Sequence, residues 1–127
     1  MIDHVSVAVS DLSRSLRFYE AVLGAIGYNS IDVRGSTVGF GKEYSEFWIN
    51  ARPDMKPVPP RSGAHVCLRA RLPAEVDAFH AAALANGGES DGAPGLRPHD
   101  GEAGYYAAFI RDPDGNRIEA VTFLKKD

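Results

Sequence analysis

Three side chains able to hold a cation stand far apart in this sequence: His4, His65 and Glu119. Two imidazoles and one carboxylate make a facial donor set that leaves positions open for substrate or oxygen, and these donor types suit a divalent transition metal. The expected cofactor is therefore a divalent ion, one of Zn, Ni, Mn or Fe(II), with His4, His65 and Glu119 as its ligands. Each residue has a plainer reading. A lone histidine on a strand is commonly a surface or hydrogen-bonded group, and Glu119 can be an ordinary carboxylate salt-bridged to Arg117 or Arg69. The neighbours of Glu119 weigh against the plain reading, because Ile118, Ala120 and Val121 set it in apolar sequence where an unpaired charge is costly to bury. Cys67 reads as a small buried filler and not as a nucleophile.

Glu119 depends for its position on a turn. Asp112-Pro113-Asp114-Gly115 lies between two apolar runs; Pro113 presets φ, Asp112 can accept from the backbone ahead, and Gly115 takes the positive φ that closes a hairpin. Tyr105 to Arg111 and Asn116 to Leu124 are then its strands. His4 belongs to an alternating run, Ile2 to Ser10, with Val5, Val7 and Val9 on one face and His4, Ser6 and Ala8 on the other. Asp11 caps a helix carrying Leu12, Leu16, Tyr19 and Leu23 at helical spacing, and Gly24 stops it. Gly27 to Val33, Ser36 to Gly41 and Glu46 to Ala51 read as three short strands. His65 lies in a second alternating run, Gly63 to Arg71; Pro73 then opens a helix that Gly87-Gly88 ends. Gly88 to Asp91 is expected as a brief strand, and Gly92 to Gly104 as a long loop holding Arg97, His99 and Glu102.

Both halves thus read βαβββ, and they repeat. The shift that lays His65 on His4 also lays Val66 on Val5, Phe79 on Phe18, Ala82 on Ala21, Leu84 on Leu23 and Gly88 on Gly27. His4 and His65 are then equivalent positions on equivalent strands. The expected organisation is a first module over 1–51, a proline-rich extended linker over 52–62 and a second module over 63–127.

At 127 residues the chain has room for one core shared by two small modules. Its formal net charge of -3, with no basic cluster, excludes nucleic acid as a partner. No apolar run approaches membrane-spanning length and the first residues lack a signal peptide's pattern, so a cytoplasmic protein without membrane contact is expected.

His4-Val5-Ser6-Val7-Ala8-Val9-Ser10-Asp11-Leu12, Phe18-Tyr19 followed by Leu23-Gly24, His65, and Asp112-Pro113-Asp114-Gly115-Asn116-Arg117-Ile118-Glu119 resemble the vicinal oxygen chelate superfamily, which includes glyoxalase I, bleomycin-resistance proteins, fosfomycin-resistance transferases and extradiol dioxygenases. The resemblance implies an α+β fold of two βαβββ modules whose sheets curl around a central cavity, and a homodimer with sites built by both chains. It assigns the metal to His4, His65 and Glu119 and implies Glu119 as the catalytic carboxylate. Glyoxalase I has a fourth ligand, Glu or Gln, on the last strand of its first module; an ungapped alignment puts Asn50 there, with Trp48 on the same face, which speaks against ordinary glyoxalase I activity. A small-molecule substrate is expected to meet Trp48, Asn50, Arg97, His99, Tyr105 and Tyr106. The expected function is a metal-dependent lyase, isomerase, transferase or ring-cleaving oxygenase. The alternative is a metal-free protein that sequesters a small molecule with Trp48, Tyr105 and Tyr106.

Overall fold

The chain was analysed as a computed structural model that describes residues 1–98 and 104–124. The first half runs β1 (Val5–Val9), α1 (Leu12–Gly24), β2 (Asn29–Arg34), β3 (Thr37–Gly41) and β4 (Phe47–Ala51). The second repeats it as β5 (His65–Arg69), α2 (Pro73–Ala85), β6 (Glu89–Leu96), β7 (Tyr105–Arg111) and β8 (Arg117–Phe123). Each half forms a four-stranded sheet of the same order, β1-β4-β3-β2 and β5-β8-β7-β6. In both sheets the first and last strands of the module pair in parallel and the other neighbours are antiparallel. The two βαβββ modules expected from the repeat are therefore present, in an α+β fold.

Strand alternation divides each sheet into two faces. The back faces are apolar and, with the helices, build one core: Val9, Val38, Phe40, Phe47 and Ile49 join Phe18, Tyr19, Val22 and Leu23 of α1, and Leu68, Ala108, Ile110, Ile118 and Ala120 join Val76, Phe79 and Ala83 of α2. Asp11 caps α1 as expected, its carboxylate accepting from Arg14 N at 3.1 Å. The front faces carry the residues with chemistry. On the second sheet these are His65, Cys67 and Arg69 of β5, Arg117, Glu119, Val121 and Phe123 of β8, and Tyr105, Ala107 and Phe109 of β7.

Three local expectations change. The helix α1 runs through Gly24, and Gly27, at φ 86°, makes the left-handed turn that follows. The expected brief strand at Gly88 to Asp91 is the start of an eight-residue β6, which stays paired to β7 through Gly92, Gly95 and Leu96 by shifting register twice. Glycines and a proline read as loop here, yet two irregularities are enough to keep them on a sheet edge. His4 stands one residue ahead of β1.

The hairpin turn between β7 and β8 also ties the halves together. Tyr19 of α1, fully buried, donates its hydroxyl to Asp112 Oδ2 at 2.6 Å. Asp114 accepts from Ser10 N at 3.0 Å, Ser10 Oγ at 2.6 Å and the Arg14 guanidinium at 3.2 Å, and Asn116 Nδ2 donates to Ala8 O at 2.8 Å. The stretch between the modules lies against the same hairpin: Val58 N donates to Asp114 O at 2.8 Å, and the Arg117 guanidinium donates to the carbonyls of Ser62, at 3.1 Å, and Pro60.

Candidate functional site

Glu119 is in the middle of β8, with Cys67 opposite it on β5 and Phe109 opposite it on β7, and is 3 % exposed. A carboxylate so placed needs donors, and two side chains of the same face supply them. His65 Nε2 lies 3.1 Å from Glu119 Oε1, and Tyr105 donates its hydroxyl to Oε2. Tyr105 starts opposite Phe123 and reaches back over Ala107 to make this bond; Phe123 packs edge-on against its ring, centroids 5.3 Å apart. The expected salt-bridge alternatives do not form. Arg117 turns to the carbonyls of Ser62 and Pro60 and approaches Asp91 at 3.7 Å, and the Arg69 guanidinium lies 4.5 Å over the Phe123 ring.

Electrostatically this face holds its protons. Loss of solvent and the bond to Glu119 push the Tyr105 phenol well above its usual value, so it remains a donor at neutral pH. The Cys67 thiol, whose Sγ is 3.9 Å from Tyr105 Oη, is pushed up to about 12, by desolvation first and by the Glu119 charge second. Since the thiolate is the nucleophile, Cys67 should react with iodoacetamide at pH 8 at least about tenfold more slowly than free cysteine. Mass spectrometry of timed reactions measures this, and labelling at the free-cysteine rate would show that neither loss of solvent nor the charge of Glu119 raises the thiol.

The sequence-predicted residues divide into those that meet here and those that do not. His65, Glu119 and Tyr105 come together. Tyr106 points to the back face, where its hydroxyl donates to Asp77 Oδ1 of α2 at 2.6 Å; the strand period that brings Tyr105 inward sends its neighbour out. Arg97 lies 5.5 Å over the Phe109 ring and donates to Ala93 O at 2.5 Å, which places it on the front-face side of β6 and β7. His99 and Glu102 fall outside the described residues. His4 is exposed, and its Nδ1 bonds the adjacent Asp3 at 2.7 Å. Among the described residues, no group of three or more His, Cys, Asp or Glu side chains could hold a metal ion.

Trp48 and Asn50 are on the front face of the first sheet, opposite Ser6 and Ala8. The register corrects their assignment. Cys67 pairs with Glu119 in the second sheet, its repeat-equivalent Ser6 pairs with Trp48 in the first, and so the twin of Glu119 is Trp48, not Asn50. The alignment misplaced it because two residues along a strand share a face and cannot be told apart without the partner strand. Gly39 opposite makes room for the indole: a Cβ there would meet the Trp48 ring at 2.9 Å and Ser45 Oγ at 2.4 Å. Asn50 accepts from Thr37 Oγ1 across the sheet, and Arg34 lies over Trp48 at 5.3 Å. Arg69 is the front-face residue whose placement the sequence did not reveal as distinctive.

A cleft of about 210 Å³ opens beside His65, between Asp91, Phe109, Arg117 and Ile118. His65 lines this cleft, and its Nε2 faces Glu119 Oε1 at 3.1 Å, one imidazole nitrogen and one carboxylate oxygen of a borderline donor set. They fit two positions of a divalent-ion site and leave the remainder to other ligands.

Comparison with known proteins agrees with this geometry. A family model described as Glyoxalase/Bleomycin resistance protein/Dioxygenase superfamily matches residues 1–120. A glyoxalase/bleomycin resistance protein from Albidiferax ferrireducens T118 is 37 % identical, with a TM-score of 0.80, over 93 % of this chain and 95 % of that one. At lower identity the fold recurs in a glyoxalase I mutant from Zea mays (22 % identity, TM-score 0.71, 93 % of this chain and 44 % of that one). It recurs also in the fosfomycin resistance protein FosX from Listeria monocytogenes (16 %, TM-score 0.68, 95 % and 91 %). A search of curated proteins finds no match.

Proposed function

The chain belongs to the Glyoxalase/Bleomycin resistance protein/Dioxygenase superfamily, and on that premise we propose that it is a metal-dependent enzyme whose small substrate is held through two neighbouring oxygens. The observation that carries the reading is the buried Glu119 carboxylate shared between His65 and Tyr105. Bound there, a divalent ion would supply Lewis-acid polarisation of the substrate oxygens. The chain's own part is positional. Tyr105 occupies Oε2 of Glu119 and so fixes which way Oε1 points, toward His65. That oxygen is the one placed to hold an ion or to accept a substrate proton. Burial strengthens either interaction by excluding water.

The third ligand of this reading is His4 from a second copy of the chain. Within one chain His65 and Glu119 are together while His4 is exposed at the entrance to β1, bonded only to Asp3 among the described residues. A twofold pairing that lays the front of one copy's first sheet over the front of the other's second sheet would complete two sites at once. Trp48 would then form an aromatic wall facing Glu119.

Protein purified without an affinity tag should contain a substoichiometric divalent ion by mass spectrometry and melt at higher temperature with Zn, Ni, Mn or Fe(II), since three ligands with open positions bind more weakly than a closed four-ligand site. His4→Ala and His65→Ala should each lose this response. Unfolded and refolded together, they should recover about a quarter of the wild-type sites, the share expected when half the dimers are mixed and each has one intact site. A response kept by His4→Ala alone would place His4 outside the site, and recovery of none would place all three ligands in one chain.

The second reading is metal-free sequestering of an apolar or aromatic molecule. It is favoured by two observations: both oxygens of Glu119 already have partners from their own chain, and the twin position carries an indole in place of a carboxylate. Failure of every ion to bind or stabilise the protein at millimolar concentration would decide for it.

A further inference from the structure

Four guanidinium groups stand at or near the front face of the second sheet, and three are engaged. Arg111 and Arg117 approach Asp91 at 3.1 and 3.7 Å, and Arg117 also donates to the carbonyls of Ser62 and Pro60. Arg97 donates to Ala93 O. Arg69 differs. Among the described residues it has no carboxylate or carbonyl partner, and its guanidinium carbon lies 4.5 Å from the centroid of the Phe123 ring. Stacking of this kind fixes the guanidinium while leaving its N–H edge free to donate.

The support beneath Arg69 leads to the carboxylate. Phe123 is held edge-on by Tyr105, Tyr105 donates to Glu119, and Glu119 is shared with His65. Arg69 is on the front face of β5, one front position beyond Cys67, which lies opposite Glu119. Two residues of strand separate those positions by about 7 Å. A cation and a buried carboxylate thus occupy one face without neutralising each other, because the two oxygens of Glu119 are taken by Tyr105 and His65.

We propose that the substrate is a small, flat or aromatic molecule bearing a carboxylate, which Arg69 receives in a bidentate pair while the reacting oxygens lie at the His65 and Glu119 end. Phe123 and Tyr105 supply the apolar edge along which the body of the molecule lies. This rests on the front face being the substrate surface, and it does not require the metal. Arg69 is a binding and specificity residue: it selects for charge at one end of the ligand, away from the atoms that react.

Two probes of one shape test it. 3,4-Dihydroxybenzoate has neighbouring oxygens at one end and a carboxylate at the other; 3,4-dihydroxybenzamide is its neutral counterpart. Calorimetric titration of each into the full chain, with and without Zn, should find the acid bound at least about tenfold more tightly than the amide at pH 7, the discrimination expected of a charge-assisted pair. The ratio should fall to about one in Arg69→Ala and be partly kept in Arg69→Lys, while Arg71→Ala, which removes a guanidinium paired with Glu75, leaves it intact. Equal binding of the two probes by wild type, a preference that survives Arg69→Ala, or no binding of either at millimolar concentration would each overturn the proposal. Zn gives the separate outcome. An Arg69-dependent acid preference that Zn does not alter upholds this substrate class while counting against the metal site. Zn-dependent binding of both probes without acid preference does the reverse.

Discussion

Replacing Glu119 with Gln is expected to cut divalent-ion affinity by about 100-fold or more, with turnover falling in parallel and the fold surviving. The shape of the side chain is kept. Tyr105 can still bond the amide, and the back of β8, where Ile118 and Ala120 are buried, is untouched. What disappears is the charge that offsets a cation at a position 3 % exposed, and removing one partner from a buried charge pair costs about 3–5 kcal/mol, which corresponds to roughly two to three decades in affinity. Calorimetry with the ion that stabilises the wild type measures the loss, and circular dichroism checks the fold. An unchanged ion affinity would remove Glu119 from the ligand set. In the sequestering reading the same substitution leaves ligand affinity nearly unchanged, and Trp48→Ala abolishes it.

Asp112→Ala is expected to be the most destabilising single change outside the apolar core. The carboxylate accepts from Tyr19 Oη at 2.6 Å, Asp114 N at 3.0 Å, Asn116 N at 2.8 Å and Asn116 Nδ2 at 2.8 Å, and its residue is 3 % exposed. Truncation leaves at least two buried donors without an acceptor, at about 1–3 kcal/mol each, so a loss of about 3 kcal/mol is expected and a fall in Tm of roughly 10 °C. The pH dependence has a definite sign. Burial raises the pKa of Asp112 above its ordinary 3.8, outweighing the bonds from Tyr19 and Asn116 that lower it. A raised native value means that the contribution of the group is fully present below pH 3.8 and is lost as pH rises through the native value. The gap in Tm between wild type and Asp112→Ala should therefore be wider in the acid range than at pH 7. Thermal unfolding across that range measures it; a gap that widens with rising pH would mean that the hydrogen bonds, and not burial, dominate.

Asp112 also shows what could and could not be read beforehand. Asp-Pro-Asp-Gly announced a turn through local backbone chemistry, and the turn is there. That its two carboxylates reach across to Tyr19, Ser10 and Arg14 of the other module is a tertiary fact, with partners some hundred residues away and no periodic signal. The modules themselves were legible because strand alternation, helical spacing and a gapless repeat all pointed one way. β6 was obscured by glycines and a proline, since a sheet edge tolerates residues that the interior rejects. In the site, Glu119 stood out as a charge in apolar sequence, and the alternation at Tyr105 and Tyr106 guaranteed one inward phenol without saying which. Asn50 was set where the repeat puts Trp48, because equivalence to Glu119 is a matter of register between strands. Arg69 gave no signal of its own; only the ring beneath it distinguishes it from any surface arginine.

The two donors around Glu119 bear on the order of events in the life of the chain. A buried carboxylate left bare would oppose folding until a counter-ion arrived, making assembly hostage to whatever metal was at hand. With Tyr105 and His65 already satisfying it, the polypeptide can reach its native shape unaided, and an ion bound as proposed would enter a carboxylate already held in place. Folding and loading would then be separate steps, the first written in the chain and the second left to supply.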